Sequence, residues 1–567
     1  MNDIRRTILM VIFGFSLILL WDQWQVANGN KATFMPSSQP AVVAPVVGAS
    51  GMPGAATTSA TATGSVPVQG AVAAPVNEKI QITTDLFKAR IDSQGGTLSN
   101  LELLKFASDT DPQRGVLLMD DDAPATRYVA QTGLLNKADA GDKFPNHLTL
   151  MTPLAGPREL APGQDTLEVQ FESPASGGLK YVKTYQFKRG DYAIHVKHQV
   201  VNVSDQPRDG AQLYLQLLRH GTVKAGSMFG TSTYTGPATY TADKKFHKID
   251  FTDIEKNKAE MPAPANNGWV AMIQHYFVSA WLLNGPDGAT AQREFRVANL
   301  GNNLYTVAMV LPLEKIAPGA TQTIDSTLYA GPEEERKLEA LAPGLELVKD
   351  YGIFTIIAKP LYWLLSKLHG LIGNWGWSIV ALVVLLKAVF YPLNAKAYGS
   401  MAKMKSISPK ITAMRERLKD KPQQEMQQEM MRIYKEEKVN PMGGCVPIVI
   451  PIPVFMGLDW VLLSSVEMRN APWILWIHDL STPDPWFILP IVMTATSMVQ
   501  TWLNPTPPDP MQAKLMWIMP LVFSVMFFFF PAGLVMYWIT NNVLSITQQW
   551  FINKRLGVLG NLPKLNA

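Results

Sequence analysis

The sequence predicts a multi-domain membrane protein with six α-helical spans, an N-terminal anchor plus a five-helix core, and a large antiparallel β-sandwich after the first span. Three observations predict this architecture. Only 17% of the 567 residues are charged and 47% are hydrophobic, against about 25% charged in soluble domains. The deficit falls in residues 375–552, whereas 78–349 has ordinary soluble composition. Between 78 and 332, apolar residues recur with a period of two, and after 375 they come in five long runs separated by polar loops.

Taken in order, residues 1–27 place Arg5 and Arg6 before an apolar run from Ile8 to Trp21. Trp21-Asp22-Gln23-Trp24 offers no small-x-small cleavage site, so the segment reads as an uncleaved signal anchor with its N-terminus in the cytoplasm. Residues 28–77 are Ala, Pro, Gly, Ser, Thr and Val with almost no charge or aromatics. Such a tract cannot bury enough surface to offset chain entropy and reads as a disordered tether.

Residues 78–332 read as strands. Tyr192, Ile194, Val196, His198 and Val200 alternate with Ala193, His195, Lys197 and Gln199. Tyr181, Tyr185 and Phe187 share one face of the preceding run, and Gly190-Asp191 turns between the two. Many such runs imply a periplasmic antiparallel β-sandwich. A connector, 333–374, begins with a Glu-rich helix. Ile356, Pro360, Trp363, Leu364 and Lys367 then suggest an amphipathic helix lying along the membrane surface.

The five further spans are 375–393, 445–466, 486–503, 515–530 and 532–552, with Pro531-Ala532-Gly533 turning the chain between the last two. Loop charge fixes the orientation. Residues 394–441 carry eleven Lys and Arg residues. The loop at 468–485 has only Arg469 and, with Trp473, Trp476 and neighbouring Trp486, resembles an interfacial aromatic belt. Both termini therefore fall in the cytoplasm, the C-terminal one as a short, mildly basic tail, 553–567. The basic loop is itself expected to form a helical hairpin, 399–438. Ser408-Pro409 would start one helix, Asp420-Lys421-Pro422 would break it, and Met426 and Met430 would mark the second, with Met414 on the first. Arg415 and Arg417 belong to a charged face that reads either as solvation near anionic lipid or as a contact for ribosomes and nascent chains.

Intramembrane polar residues are the candidates for function. Lys387 lies seven residues inside Asn394, about 10 Å at ~1.5 Å per residue, and could snorkel or face a water-filled cavity. Tyr537, Asn541, Ser545 and Gln548 form one helical stripe, and Thr494, Ser497 and Thr501 form another. These stripes either hold helices together or line a hydrated groove. Asp459 is a second intramembrane charge, placed roughly 10 Å deeper than Lys387. Pro447, Pro451 and Pro453 should distort the start of its span. The span beginning at Leu515 is rich in Met and Phe, a composition that adapts to varied apolar partners.

Other chemistries find no residues. There is no nucleotide loop, metalloprotease helix or nucleophile elbow. His195 and His198 lie on opposite faces of a strand and cannot chelate one metal. The single cysteine, Cys445, permits no internal disulfide. A net charge of +4 gives no reason to expect a nucleic-acid site. Neither an enzyme nor a cofactor is expected.

Several stretches resemble the YidC/Oxa/Alb family of membrane insertases, in its Gram-negative form. They include Gly373-Asn374-Trp375-Gly376-Trp377-Ser378, Tyr391-Pro392-Leu393, Asn440-Pro441-Met442-Gly443-Gly444-Cys445, Trp476-Ile477-His478-Asp479-Leu480 and Phe530-Pro531-Ala532-Gly533-Leu534. The resemblance implies a chaperone-like insertase with a hydrophilic groove open to cytoplasm and lipid, and a β domain like a galactose-mutarotase supersandwich. It aligns Lys387 with a groove cation that is often Arg, and Val383 and Trp538 with positions facing the incoming segment. The family commonly has Gln and an aromatic where this chain has Pro451 and Asp459.

A client helix would leave between the third and fifth spans, along a hydrophobic slide of Met456, Leu463, Met516, Met519, Phe523 and Phe527. Implied partners are nascent membrane proteins, the Sec translocon, membrane lipids, the ribosome and the signal recognition particle receptor. An ion- or proton-coupled transporter is the alternative, since paired intramembrane charges often mark ion paths. A sugar-binding β domain is a further one.

Overall fold

The computed structural model describes residues 77–108, 111, 113–137, 143–221, 234–283, 291–418, 422–437, 451–504 and 510–555. The expected anchor, the tether up to residue 76, the start of the third span and the end of the tail lie outside them. Two compact units divide the described chain near residue 350.

In the first unit, seventeen strands form an eight-stranded and a nine-stranded sheet. Alternation built them as the sequence indicates. Strand Leu179–Lys188 buries Tyr181, Tyr185 and Phe187, and strand Ala193–Asn202 buries Ile194, Val196, His198 and Val200. They pair antiparallel with Tyr181 opposite Val200 and Tyr185 opposite Val196. Gly190, at φ +71°, turns the chain between them, a conformation that costs glycine little. The two sheets meet through their buried faces. Thr132 of strand Tyr128–Asn136 and Tyr181 share a hydroxyl hydrogen bond of 3.1 Å, and Trp281 Nε1 donates to the Gln216 carbonyl at 3.1 Å.

A lysine sits inside this core. Lys183 follows the parity of Tyr181 and Tyr185, is fully buried, and donates to the carbonyls of Gly95 (2.6 Å) and Gly96 (3.2 Å). Its ammonium lies 5.6 and 5.9 Å from the Tyr181 and Tyr185 ring centres. Gly95 must be glycine, because a Cβ there would stand 2.4 Å from the His147 Cα and its φ is +68°.

The second unit is helical: α1 Thr355–Ile372, α2 Trp375–Val389, α3 Tyr391–Arg417, α4 Gln423–Glu436, α5 Pro451–Ser464, α6 Ile488–Leu503, α7 Pro510–Phe527 and α8 Ala532–Arg555. The α1–α2 junction shows how sequence sets a boundary. Gly373 takes the left-handed cap and donates to the His369 carbonyl at 2.7 Å; Asn374 then caps α2 by accepting from the Trp377 N–H at 3.0 Å. Leu361 and Leu365 of α1, Ile379 and Leu382 of α2, Leu458 and Val461 of α5, Met493 of α6 and Val535 of α8 make one core. The other face of α1 leaves Ile356, Pro360, Trp363 and Lys367 outward. The Lys367 ammonium lies 6.0 Å from the Trp363 ring centre.

Among the described residues, no helix is long and apolar enough to cross a membrane; the expected anchor and the start of the third span lie outside them. Helices α2, α5 and α6 have 15, 14 and 16 residues, roughly 21–24 Å at ~1.5 Å per residue. Helix α7 begins among polar residues at Pro510, and the apolar run of the continuous helix α8 is broken by Asn541, Asn542, Gln548 and Gln549. In the basic loop, Ser408-Pro409 does not start a helix, because α3 runs unbroken from Tyr391 to Arg417 with Pro409 inside it. An interior proline costs about 3 kcal/mol, and here good helix formers on both sides carry the helix past it. The hairpin itself is present, joined near Leu418 and Pro422.

Candidate functional site

Lys387 lies in the last turn of α2, facing α8. Its Nζ donates to the Ser545 Oγ at 2.7 Å, and that hydroxyl in turn donates to the Asn541 carbonyl at 2.7 Å. The ammonium is half-buried and has no ion pair among the described residues. Beside it lies an open concavity with an empty volume of about 420 Å³, lined by Val383, Leu386, Lys387, Phe390, Asn394, Val454, Tyr537 and Asn541. Four sequence candidates, Val383, Lys387, Tyr537 and Asn541, therefore share one wall system, with Ser545 holding the cation. The spacing of Tyr537, Asn541 and Ser545 puts them on one flank of α8, and Gln548 continues it by donating to the Tyr391 carbonyl at 3.5 Å. Trp538 turns toward the core instead, edge-on to Phe527 at 5.4 Å.

Thr494 and Ser497 are not brought to this concavity. Asn542, on the opposite flank of α8, donates to the Ser497 Oγ at 2.9 Å and the Thr496 Oγ1 at 3.3 Å; Thr494 donates to the Pro490 carbonyl of its own helix at 2.8 Å. Gln549 continues this seam to Leu503 and Asn504. Sequence reasoning missed Asn542 and Gln549. Their signal was the seven-residue spacing, which sets a second polar stripe beside the first.

Asp459 does not pair with Lys387. It is buried on α5, with one carboxylate oxygen lacking a hydrogen-bond partner, and it lies within electrostatic reach of Tyr537. The slide residues divide. Met519 and Phe523 are exposed on α7, Met456, Leu463 and Met516 are half-buried, and Phe527 is buried in the helical core. Phe527 is thereby part of the frame rather than of an open surface.

The hairpin methionines that marked the two helices face each other rather than solvent. Met414 is buried with Ile407, Ile411 and Tyr434, and Met426 and Met430 pack against that cluster. The outward face is ionic. Arg417 meets Glu429 at 3.5 Å, Arg432 meets Glu429 at 3.0 Å, and Lys410 meets Glu437 at 2.5 Å, while Arg415 is half-buried. No cluster able to hold a metal occurs among the described residues.

Comparison with known proteins places this architecture. A family model described as the YidC periplasmic domain matches residues 79–364, and one described as 60Kd inner membrane protein matches residues 367–558. The membrane protein insertase YidC of Cupriavidus metallidurans is 54% identical over 561 residues, covering 98% of each chain. That of Burkholderia multivorans is 51% identical over 566 residues, covering 99% of this chain and 100% of the relative. A crystal structure of an active YidC insertase with its first transmembrane domain resolved aligns over 83% of this chain and 91% of that one, at 19% identity and a TM-score of 0.38. An inner-membrane protein with a sheet-rich periplasmic domain, this chain belongs to the YidC family of membrane protein insertases.

Proposed function

We propose that the chain inserts client transmembrane segments into the inner membrane through the Lys387 concavity, alone or beside the Sec translocon. One observation carries this reading. The Lys387 ammonium, held by Ser545 and without an ion pair among the described residues, stands with Tyr537 and Asn541 at an open concavity between helices of the membrane domain. Each unsatisfied polar group costs several kcal/mol in hydrocarbon, and a recess that carries Lys387 and Asn541 among otherwise apolar walls would give a client's polar tail partners along part of that dry path. Lys387 attracts acidic residues in that tail. At ~6 Å and an effective dielectric of ~20 the attraction is about 3 kcal/mol before desolvation is subtracted.

The client's apolar helix then leaves into lipid past the exposed face of α7, where Met519 and Phe523 supply an adaptable surface. Apolar transfer drives that step, so the work requires binding and solvation rather than turnover chemistry. Six spans with both termini cytoplasmic remain the topology we propose, supported by the basic 394–441 loop. The ionic face of the α3–α4 hairpin supports a contact with nascent chains, the ribosome or the signal recognition particle receptor, close to anionic lipid.

Photocrosslinkers at Val383 and Asn541, tested in membranes with arrested nascent membrane proteins, should capture the client helix. Capture from Ser497 but from neither concavity position would move the path to the α6–α8 seam and contradict the proposal.

A further inference from the structure

The loop between α5 and α6 presents its aliphatic and aromatic tips outward while drawing two of its tryptophans in. Trp473 stands edge-on to Trp377 at 5.6 Å, and Trp476 donates its indole N–H to Asp484 at 3.0 Å. Outward instead are Ile474, Leu475 (76% exposed), Trp486 (63% exposed) and Phe487. Two of these large residues, Leu475 and Phe487, take positive φ of 51° and 56°, a conformation non-glycine residues rarely adopt without support. The support is visible. Asp484 is buried and accepts from the Trp476 indole, the Trp486 N–H (3.0 Å) and the Leu489 N–H (2.7 Å). Trp476 and Trp486 stack with centroids 5.4 Å apart. One carboxylate thus joins the 474–475 tip to the 486–487 tip.

Part of the backbone of this loop is satisfied from within. Trp473 N–H donates to the Ile477 carbonyl, Ile477 to Ile474, Leu480 to Ala471, and Phe487 to Asp484. Ser481 N–H donates to the Asp479 carboxylate. The loop also accepts from the start of α8, where Ala532 and Gly533 donate to Thr482 and Leu480. Irregular backbone is excluded from hydrocarbon chiefly by its unmet polar groups, and these bonds lower that cost around the tips. Exposed apolar residues recur near the start of α6, where Ile491 is 59% exposed and Val492 lies outward. Tips made of Leu, Ile and Phe suit acyl chains better than the headgroup level that tryptophan and tyrosine favour.

We propose that Ile474, Leu475 and Phe487, at the paired tips, insert into the acyl chains of the lipid leaflet on that side, with Trp486 at the headgroup level and Asp484 as the residue that positions the tips. Exposed His478 and half-buried Asp479 would stay at the polar level, where their side chains keep water. The inference rests on reading α2 to α8 as the membrane domain, and the test separates the two.

In full-length protein carrying Cys445→Ser, a nitroxide label would be placed at Leu475→Cys or Phe487→Cys. Val522→Cys on the outward face of α7 serves as the lipid reference and Lys88→Cys on the β unit as the water reference. The protein is reconstituted in phosphatidylethanolamine–phosphatidylglycerol vesicles with nickel chelate on both sides. Labels at 475 and 487 should collide with oxygen more than with the chelate, as at 522. Chelate access equal to that at Lys88 would place the tips in water and overturn the proposal. Protection from both reagents would show protein covering them, either the β unit or a second copy, and would overturn it equally. Chelate access at 522 itself would overturn the membrane reading beneath it.

Discussion

Lys387 of α2 and Ser545 of α8 are joined by a 2.7 Å hydrogen bond, the contact that fixes the cation at the edge of the concavity. Hydrogen bonds to charged groups contribute about 1.5–3 kcal/mol. Ser545→Ala should release the ammonium to other positions while leaving its charge in place. Insertion of an acidic-tailed client should slow several-fold in vesicles, and that of a neutral-tailed one should change little. Equal slowing of both would assign Ser545 to general packing.

The other flank of α8 should behave differently. Asn542 and Ser497 hold α6 to α8, and interhelical polar pairs in membranes are worth about 0.6 kcal/mol. A double-mutant cycle of Asn542→Ala and Ser497→Ala in detergent unfolding should return a coupling of that order. Any change in insertion per folded molecule, relative to the unsubstituted protein, should be the same for acidic-tailed and neutral-tailed clients in either variant. A charge-dependent defect would place the seam in the client path.

Lys183 predicts a pH dependence for the β unit. Burial pushes its ammonium down to about 7. Between that value and the ordinary value of about 10.4 the unfolded chain binds the extra proton, so stability rises with pH across this window. Burial, with Lys183 and then Arg127 nearby, pushes His147 down to about 4, which adds the same slope between about 4 and 6.5. Burial followed by Lys183 likewise holds His198 well below its usual range. Lys183→Met should flatten the profile above pH 7. Pulse proteolysis of the β unit within the full-length protein, in urea across pH, reads this out. An unchanged profile would contradict the assignment.

The α3–α4 hairpin should depend on its own small core. Met414→Ala removes a buried side chain among Ile407, Ile411 and Tyr434, and such truncations cost about 2–5 kcal/mol. Protease sensitivity should rise between residues 410 and 437, and insertion should fall for clients of either tail charge. Full insertion after deletion of residues 409–437 would remove the hairpin from client reception.

Much of this organisation was legible in the residue pattern, and what was not has physical causes. Period-two alternation put Tyr181 with Tyr185, and Ile194 with His198, on shared faces, because a strand has only two, and those faces are the buried ones. The same parity pointed Lys183 inward, yet a lysine is so rarely buried unpaired that its signal was passed over. Stripes on α8 identified polar flanks, but no spacing could say that Ser545 meets Lys387 whereas Ser497 meets Asn542. Such pairings depend on how helices 45 to 158 residues apart in sequence pack. Pro409 misled because its local preference for a helix start was overridden by the helix already running into it. Methionines at helical spacing in the hairpin marked an apolar face correctly. Whether that face was open or paired awaited the packing of α4 on α3.

The central claim is that the Lys387 charge acts on clients. Its most direct measurement is insertion of two clients that differ only in tail charge, with Lys, Arg, Ala and Glu at position 387 and equal protein levels. The account predicts that Lys387→Arg works, that Lys387→Glu fails for the acidic tail, and that Lys387→Ala is tolerated better by the neutral tail. Equal responses of the two clients to every substitution would contradict it.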